Sequence, residues 1–430
     1  MAVSGIQKQF IPQHQLLAWS PFSRIIFRLT FSYFVLYNLP FPLNLLPNGF
    51  VGYDNLWNAV TPKVGRWLLH RTIDTAPNGS GDTTALWVQA FCFLVLALLS
   101  TITWTLLDRR ATNYVRLCDW LTVYVRFALA TAMISYGAAK VFPTQFPLPS
   151  LHRLIEPFGD ASPMGLFWTF MGTSPAYGAF AGWIELVAAL LLANRSTTLL
   201  GAVMCLVVLG NVVALNFCYD VSAKLLSLHL LMMSAFLIAP DLRRLMAFFV
   251  LGQATLPPVR QPLIKDKRLE RKAQIVCAVF ALAWLGRCLW GSYYTSHKYL
   301  EVTKSPLYGL WTVDEWRVMR TAVSGMDSAA QWQRIAVEGN GRLAIQTGAG
   351  SWQNYNVTLN AAAHMLNLAP GAAEDSLTLA YSQPTPTTLS LQGMLHDHQV
   401  TVRLHHESDA HAFLLLRRGF HWVNEYRYNL

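Results

Sequence analysis

The sequence predicts an α-helical integral membrane bundle of about seven transmembrane helices, followed by a C-terminal antiparallel β-domain outside the cytoplasm. Three observations carry this. Of the 430 residues, 53% are hydrophobic and only 13% are charged, where a soluble domain has about 25%. Apolar runs of spanning length recur as far as Tyr293, with polar loops between them. From Leu307 the pattern changes to short alternating runs between Gly, Pro, Asn and Asp, which is the signature of strands and turns.

Taken in order, residues 1–23 form a cytoplasmic lead-in without the continuous apolar core of a cleavable signal. Residues 24–245 hold six spans, expected at 25–46, 84–107, 118–140, 177–193, 197–218 and 221–239. Pro40 and Pro42 interrupt the first. A polar loop at 47–83 ends in Asn78-Gly79-Ser80-Gly81-Asp82-Thr83, a turn followed by a helix cap from Asp82 or Thr83. A proline-rich loop at 141–175 contains the apolar run 164–171, too short to span and read as a re-entrant or interfacial helix. Residues 246–272 are a basic connector, and 273–294 are the last span. Residues 300–430 are the β-domain. Examples of its expected strands are the runs 342–346, 377–381, 389–391, 400–404 and 412–416, and its aromatic run 419–425 is expected to pack on loops or on the membrane interface.

Charge sets the orientation. Residues 1–299 carry a net +12 and residues 300–430 a net −2. With a cytoplasmic N-terminus the basic clusters at 109–116, 195, 243–244 and 260–272 all fall inside, and the loops at 47–83 and 141–175 fall outside with the tail. No basic patch interleaves with aromatics on a soluble surface, so nucleic acid is not an expected partner. The six cysteines include no Cys-x-x-Cys pair. That argues against dithiol chemistry and a structural zinc site, and leaves a bridge such as Cys218 with Cys288 open. His396-Asp397-His398 puts two imidazoles on one strand face, but no cysteine or second fixed pair joins them, so no metal is assigned.

The third span is the axis of the bundle. At helical spacing one face reads Arg126, Leu129, Ala130, Met133, Tyr136, Gly137, Lys140. The small residues let a neighbour approach, and an intramembrane arginine marks an inward position. Glu185 lies about 12 Å in from Tyr177, His229 about 12 Å in from Val221, and Asn211 about 10 Å in from Cys218, at about 1.5 Å per residue. A guanidinium, a carboxylate, an imidazole and an amide at similar depth make either a site for proton-linked or headgroup chemistry, or a packing network. A second ring of polar groups includes His70, Arg71, Asp82, Lys140, Arg153, Glu156, Asp220 and Lys224. Asp220 and Lys224 are one helical turn apart and are expected to pair with partial desolvation.

Tyr136-Gly137-Ala138-Ala139-Lys140 closing a span, the proline-rich loop after it, and Glu185 in the next span resemble the DoxX-like membrane proteins. The corner Asn216-Phe217-Cys218-Tyr219-Asp220-Val221, with Lys224 after it, is similar to that group too. The resemblance covers about 115–245. The wider superfamily takes in HTTM-domain proteins and the vitamin K-dependent γ-carboxylase, which also join a membrane bundle to an outer β-rich domain. It implies quinone-linked sulfur oxidation or a place in a membrane redox complex.

Two function classes follow. In the first the chain is a quinone- or lipid-binding membrane oxidoreductase or redox-complex subunit of the bacterial inner membrane. Its catalytic residues are then Arg126, Glu185, His229 and Lys140, and its ligand contacts Tyr136, Asn211, Asn216, Asp220, Lys224 and His70. In the second it is a non-catalytic assembly protein that meets a periplasmic partner through the β-domain. The partners expected are the lipid bilayer, a quinone or lipid ligand, and that protein; a quinone is the cofactor the resemblance suggests.

Overall fold

The computed structural model describes residues 18–45, 51–256, 263–302, 307–319, 331–338, 341–370, 376–395 and 398–425. Its helices, in chain order, are α1 (Pro21–Asn38), α2 (Val51–Leu69), α3 (Thr84–Leu107), α4 (Val115–Val141), α5 (Leu151–Leu154), α6 (Pro163–Gly172), α7 (Pro175–Ala193), α8 (Thr198–Cys218), α9 (Lys224–Ile238), α10 (Leu242–Phe249), α11 (Lys267–Val302) and α12 (Leu414–Arg417). The strands are β1 (Gly309–Met319), β2 (Trp332–Glu338), β3 (Arg342–Thr347), β4 (Trp352–Asn360), β5 (Met365–Pro370), β6 (Leu377–Thr385), β7 (Thr388–Leu395) and β8 (His398–Ser408). The chain divides into two compact units. One comprises 1–138 and 181–288, the other 139–180 and 289–430.

The first unit is the membrane bundle. Six described helices, one of them running from α9 on through α10 to Phe249, are long and apolar enough to cross a bilayer, so the protein is a multi-pass membrane protein. The count is one short of the expected seven because of the first span. Pro40 and Pro42 end α1 at Asn38, at 18 residues that include Arg24 and Arg28. The chain then forms α2 where a polar loop was expected, and Tyr53 and Trp57 on α2 pack against Phe93 of α3. The last span is longer than expected, 36 residues in α11. It meets α4 through one stripe: Phe280 against Phe127, Trp284 Nε1 donating to Thr131 O at 3.2 Å, and Cys288 Sγ 3.7 Å from Ser135 Oγ. All six cysteines are free thiols, so Cys218 and Cys288 form no bridge.

α4 is the most enclosed of the six spans. Its small residues work as the pattern predicts. A Cβ on Gly137 would sit 2.9 Å from Gly182 O and 2.9 Å from Leu186 Cγ, so only glycine lets α7 come this close. Gly201 on α8 makes a similar approach to the Ala188 carbonyl and the Leu191–Leu192 backbone of α7.

Arg28 ties α1 to the chain that joins α3 and α4. The side chain is 3% exposed, which is tolerable only if its donors are met. Nε donates to Tyr114 Oη at 3.0 Å, Nη1 to Thr105 Oγ1 at 2.7 Å and Nη2 to Asp108 O at 2.9 Å. Phe27 stacks on Tyr114, and Trp19 closes the cluster edge-on. The Tyr114 hydroxyl donates to Asp108 Oδ2 at 2.9 Å and holds that carboxyl below the usual carboxylate range.

The second unit is built on a closed barrel. Strands β1 to β8 pair antiparallel in sequence order, and β8 returns to β1. Alternation places Ile335, Leu343, Ile345, Leu366, Leu368, Leu389, Leu391, Val402 and Leu404 inside around Trp311, which is fully buried and donates Nε1 to Leu307 O at 2.9 Å. The interior is therefore a packed core. On the outer wall, Leu310, Ala336 and Ala344 form a second cluster with Leu151 of α5 and with Phe413 and Leu416. Residues 412–416 are thus not a strand. The run is continuously apolar rather than alternating, and closure of β8 on β1 leaves no edge for it to join. The other expected runs, 342–346, 377–381, 389–391 and 400–404, lie in β3, β6, β7 and β8. The aromatic run 419–425 is exposed, with Trp422 at 92% and Phe420 at 77%. His396 and Asp397 lie outside the described residues.

Two outcomes are expected from these contacts. Gly137→Val should cost about 1–3 kcal/mol by overpacking against Gly182 and Leu186, while Gly210→Val, whose Cβ meets nothing within 4 Å, should cost little; thermal melts in detergent compare the two. Asp108 has a depressed folded-state pKa, so its stabilisation is complete above the ordinary carboxylate value of about 3.9 and is lost as pH falls through the folded value. Asp108→Asn should flatten the acid limb of the stability–pH curve, and an unchanged limb would count against the linkage.

Candidate functional site

The site is organised at the corner between α8 and α9. Asp220 takes a left-handed φ of 50°, which aspartate tolerates and most residues do not. That sharp turn starts α9 with no cap from Ala223 itself. The cap comes from a residue 142 positions away. Asp82 accepts the Lys224 amide on Oδ2 and the Leu225 amide on Oδ1, both at 2.8 Å. One carboxylate so satisfies two of the orphan N–H groups of the helix start, where the dipole also favours it. Gly81 N donates to Ser222 O at 2.8 Å, and a Cβ on Gly81 would collide with that oxygen. The turn that carries Asp82 is itself braced: Asn78 Oδ1 accepts Ser80 N and Ser80 Oγ accepts Asp82 N. Thr83 caps α3 through Leu86 N, as one of the two expected alternatives.

This docking closes one wall of a cavity of about 530 Å³. Trp57, Asn58 and Thr61 of α2, Gln89 of α3 and Tyr136 of α4 supply most of the rest. No lining residue carries a charge. The helix end that could have drawn an anion is already neutralised by Asp82. The walls offer neutral donors and acceptors beside an indole and a phenol.

A file of rings leads from this cavity into the bundle. Trp57 meets Phe93 edge-on at 4.8 Å, Phe93 meets Tyr37 at 6.3 Å, and Tyr37 stacks on His229 at 3.9 Å with planes 5° apart. Tyr33, one turn before Tyr37, lies nearly parallel to the same imidazole. His229 is 2% exposed. Its Nδ1 is 2.7 Å from Leu225 O, which can only accept, so Nδ1 carries a proton. In the neutral ring Nε2 then accepts the Tyr33 hydroxyl at 2.7 Å. Beside Trp57, burial pushes the Tyr53 phenol up to about 12, so it remains a donor, to Leu36 O at 3.2 Å.

The residues singled out from the sequence fall in several places. Arg126 is buried; its Nη1 donates to Thr198 Oγ1 at 3.3 Å and its guanidinium stands 4.9 Å from the Phe127 ring centre. Glu185 is buried on α7. Asn216 is buried at the corner, donating to Ala223 O and Ser227 Oγ. Asn211 faces outward from α8, so the expected meeting of four buried groups loses its amide. His70 is exposed at the end of α2, and Lys140 is half-buried. Lys224 Nζ reaches Asp220 Oδ1 at 2.7 Å, but the Asp220 side chain is 83% exposed. Lys224 is 21% exposed and its Nζ also lies 3.8 Å from Asp82 Oδ2, so the expected partial desolvation falls on the lysine and not on Asp220; a pair with one exposed partner is worth about 0–1 kcal/mol. Sequence reading missed Tyr33, Tyr37, Trp57 and Gln89. The four-residue spacing of Tyr33 and Tyr37 on α1 was the available signal, since it sets both rings on one face.

Asp82→Ala is accordingly expected to destabilise the bundle by about 1–2 kcal/mol through the lost cap, and Asp220→Asn by less than half of that; melting in detergent ranks the two, and the reverse order would refute the assignment of the cap.

No family model matches the chain, and no solved structure matches it. A stretch of 133 residues, 29% of the chain, is 33% identical to the uncharacterized protein YwoB of Bacillus subtilis strain 168 and covers 79% of that relative. At that identity and coverage, the chain belongs to the family of YwoB.

Proposed function

We propose that the protein binds a neutral, ring-bearing amphiphile in the bundle cavity, and that a quinone is the class of molecule it takes. The carrying observation is the uncharged lining of that cavity beside the Trp57–Phe93–Tyr37–His229 ring file. A phosphate headgroup would enter without a cation to meet it. A quinone head needs only neutral hydrogen-bond donors to its carbonyls and a flat apolar surface, and Gln89, Tyr136 and Trp57 are of those kinds. The resemblance to DoxX-like proteins supports the same reading. It adds a place in a membrane redox complex, with Glu185, Arg126 and His229 as the buried proton-handling groups and Lys140 at the mouth of α4. In this reading the chain lies in the bacterial inner membrane, with the barrel outside the cytoplasm.

The assembly reading keeps one argument. The barrel interior is filled by apolar side chains, so whatever the barrel binds must meet its outer surface.

A decyl-substituted benzoquinone titrated into the detergent-solubilised chain tests the proposal. Saturable quenching of tryptophan fluorescence is expected. Gln89→Leu should weaken it about tenfold, the loss of roughly one hydrogen bond, and Trp57→Ala should weaken it further. Absence of saturable quenching, or identical titrations for the wild type and both variants, would overturn it.

A further inference from the structure

The second unit contains a cavity of its own, about 580 Å³, between the outer wall of β3 and β4 and the segment that carries α5 and α6. Its chemistry is unlike that of the bundle cavity. Arg153, His152, Arg342 and Glu338 all line it. Arg153 is bound to Glu156, and Glu338 is hydrogen-bonded to His152. Among the described residues no carboxylate pairs with Arg342, and its side chain stands exposed at the cavity wall.

The strand register shows what surrounds that guanidinium. Arg342 on β3 lies opposite Asn356 on β4 and opposite Glu338 on β2, and Ala344 lies opposite Asn354. Residues two apart share a face and stand about 7 Å apart. Ala344 packs outside the barrel, beside Leu151, so Arg342, Asn354 and Asn356 all face outward with it. The backbone before Arg342 is held firmly. Gly341 has a φ of 64°, and a Cβ there would lie 2.8 Å from Val357 O. The opposite wall contains Trp168, whose ring is fixed by Phe146 at 5.0 Å. The first turn of α6, capped by Ser162, lines the same side and adds positive potential.

We propose that this cavity binds a singly charged oxyanion, a phosphodiester or a carboxylate, on a molecule whose ring or apolar part lies against Trp168. A guanidinium presents a planar fork that matches either group with two parallel hydrogen bonds. The two asparagine amides extend the polar wall, and they neither add charge nor cancel it. The volume lies within the usual range for a small-molecule site.

Calorimetric titration of the full chain in detergent tests this with two pairs of probes. One pair is short-chain phosphatidylglycerol against short-chain phosphatidylcholine. The other is sodium glucuronate against glucose. The anionic member of at least one pair is expected to bind at least tenfold more tightly than its neutral counterpart. A response to phosphatidylglycerol identifies a lipid headgroup as the source, and a response to glucuronate a soluble acid. Arg342→Met should weaken that binding tenfold or more, and Arg342→Lys should restore part of it. Arg417→Met, on the exposed α12, should leave it unchanged. If Arg342→Met fails to fold, Asn356→Ala takes its place and should weaken binding severalfold. The proposal is overturned if neither anion binds, if the neutral probes bind as tightly, or if binding survives the substitution at this wall unchanged.

Discussion

One carboxylate does most to set the geometry of the bundle. Asp82 stands in for the cap that α9 lacks, and takes two backbone donors that would otherwise be unmet at a partly buried helix start. Three things depend on it. The turn at 78–82 is drawn against the corner at 220–225 and closes a wall of the cavity. The start of α9 is fixed, and with it the position of His229, one turn and a half further along, beneath Tyr33 and Tyr37. The positive end of the helix is neutralised at its source, which leaves the neighbouring cavity without a fixed charge.

The two cavities illustrate how charge sorting separates binding chemistries within one chain. In the bundle Arg126 and Glu185 are buried in the helix packing, and Lys224 pairs with Asp220. What remains at the cavity wall is amide, hydroxyl and aromatic. In the barrel unit Arg153 pairs with Glu156 and Glu338 is held by His152, and among the described residues no carboxylate lies within ion-pair distance of Arg342. Each cavity has a net character different from that of the residues close to it, because partners are matched before the cavity is reached.

Much of this was legible in the sequence. Composition and hydropathy identify a membrane bundle, and alternation identifies a β-domain, because both patterns reflect which side chains must leave water. Burial of Arg126, Glu185 and His229 was legible too, since an ionisable group in an apolar run has few other places to go. Thr83 as a cap is a local matter of three residues. The extra helix α2 was not legible, because Tyr53 and Trp57 face Phe93 of a helix that follows it, and Asp54, Asn55, Asn58, Lys63 and Arg66 interrupt its apolar pattern. Strand β4 alternates only weakly, since Asn354 and Asn356 face outward and one of the inward residues is the polar-tipped Tyr355.

What the sequence by itself determined is therefore the class of most segments: six of the seven expected spans, four of the expected alternating runs, where prolines stop a helix, and the burial of Arg126, Glu185 and His229. Only the tertiary structure decided which of them meet. Asp82 caps a helix 142 residues away, the α5–α6 segment packs on the barrel wall, and β8 closes on β1 so that the apolar run after it covers the wall instead of joining the sheet. His229 finds its partners on α1, not among the groups at similar depth. The physical reason is that burial and local propensity are properties of a residue and its near neighbours, and they leave a periodic pattern along the chain. A hydrogen bond or a stacked pair between distant segments depends on the angle and register at which two elements pack, and the chain carries no local trace of that.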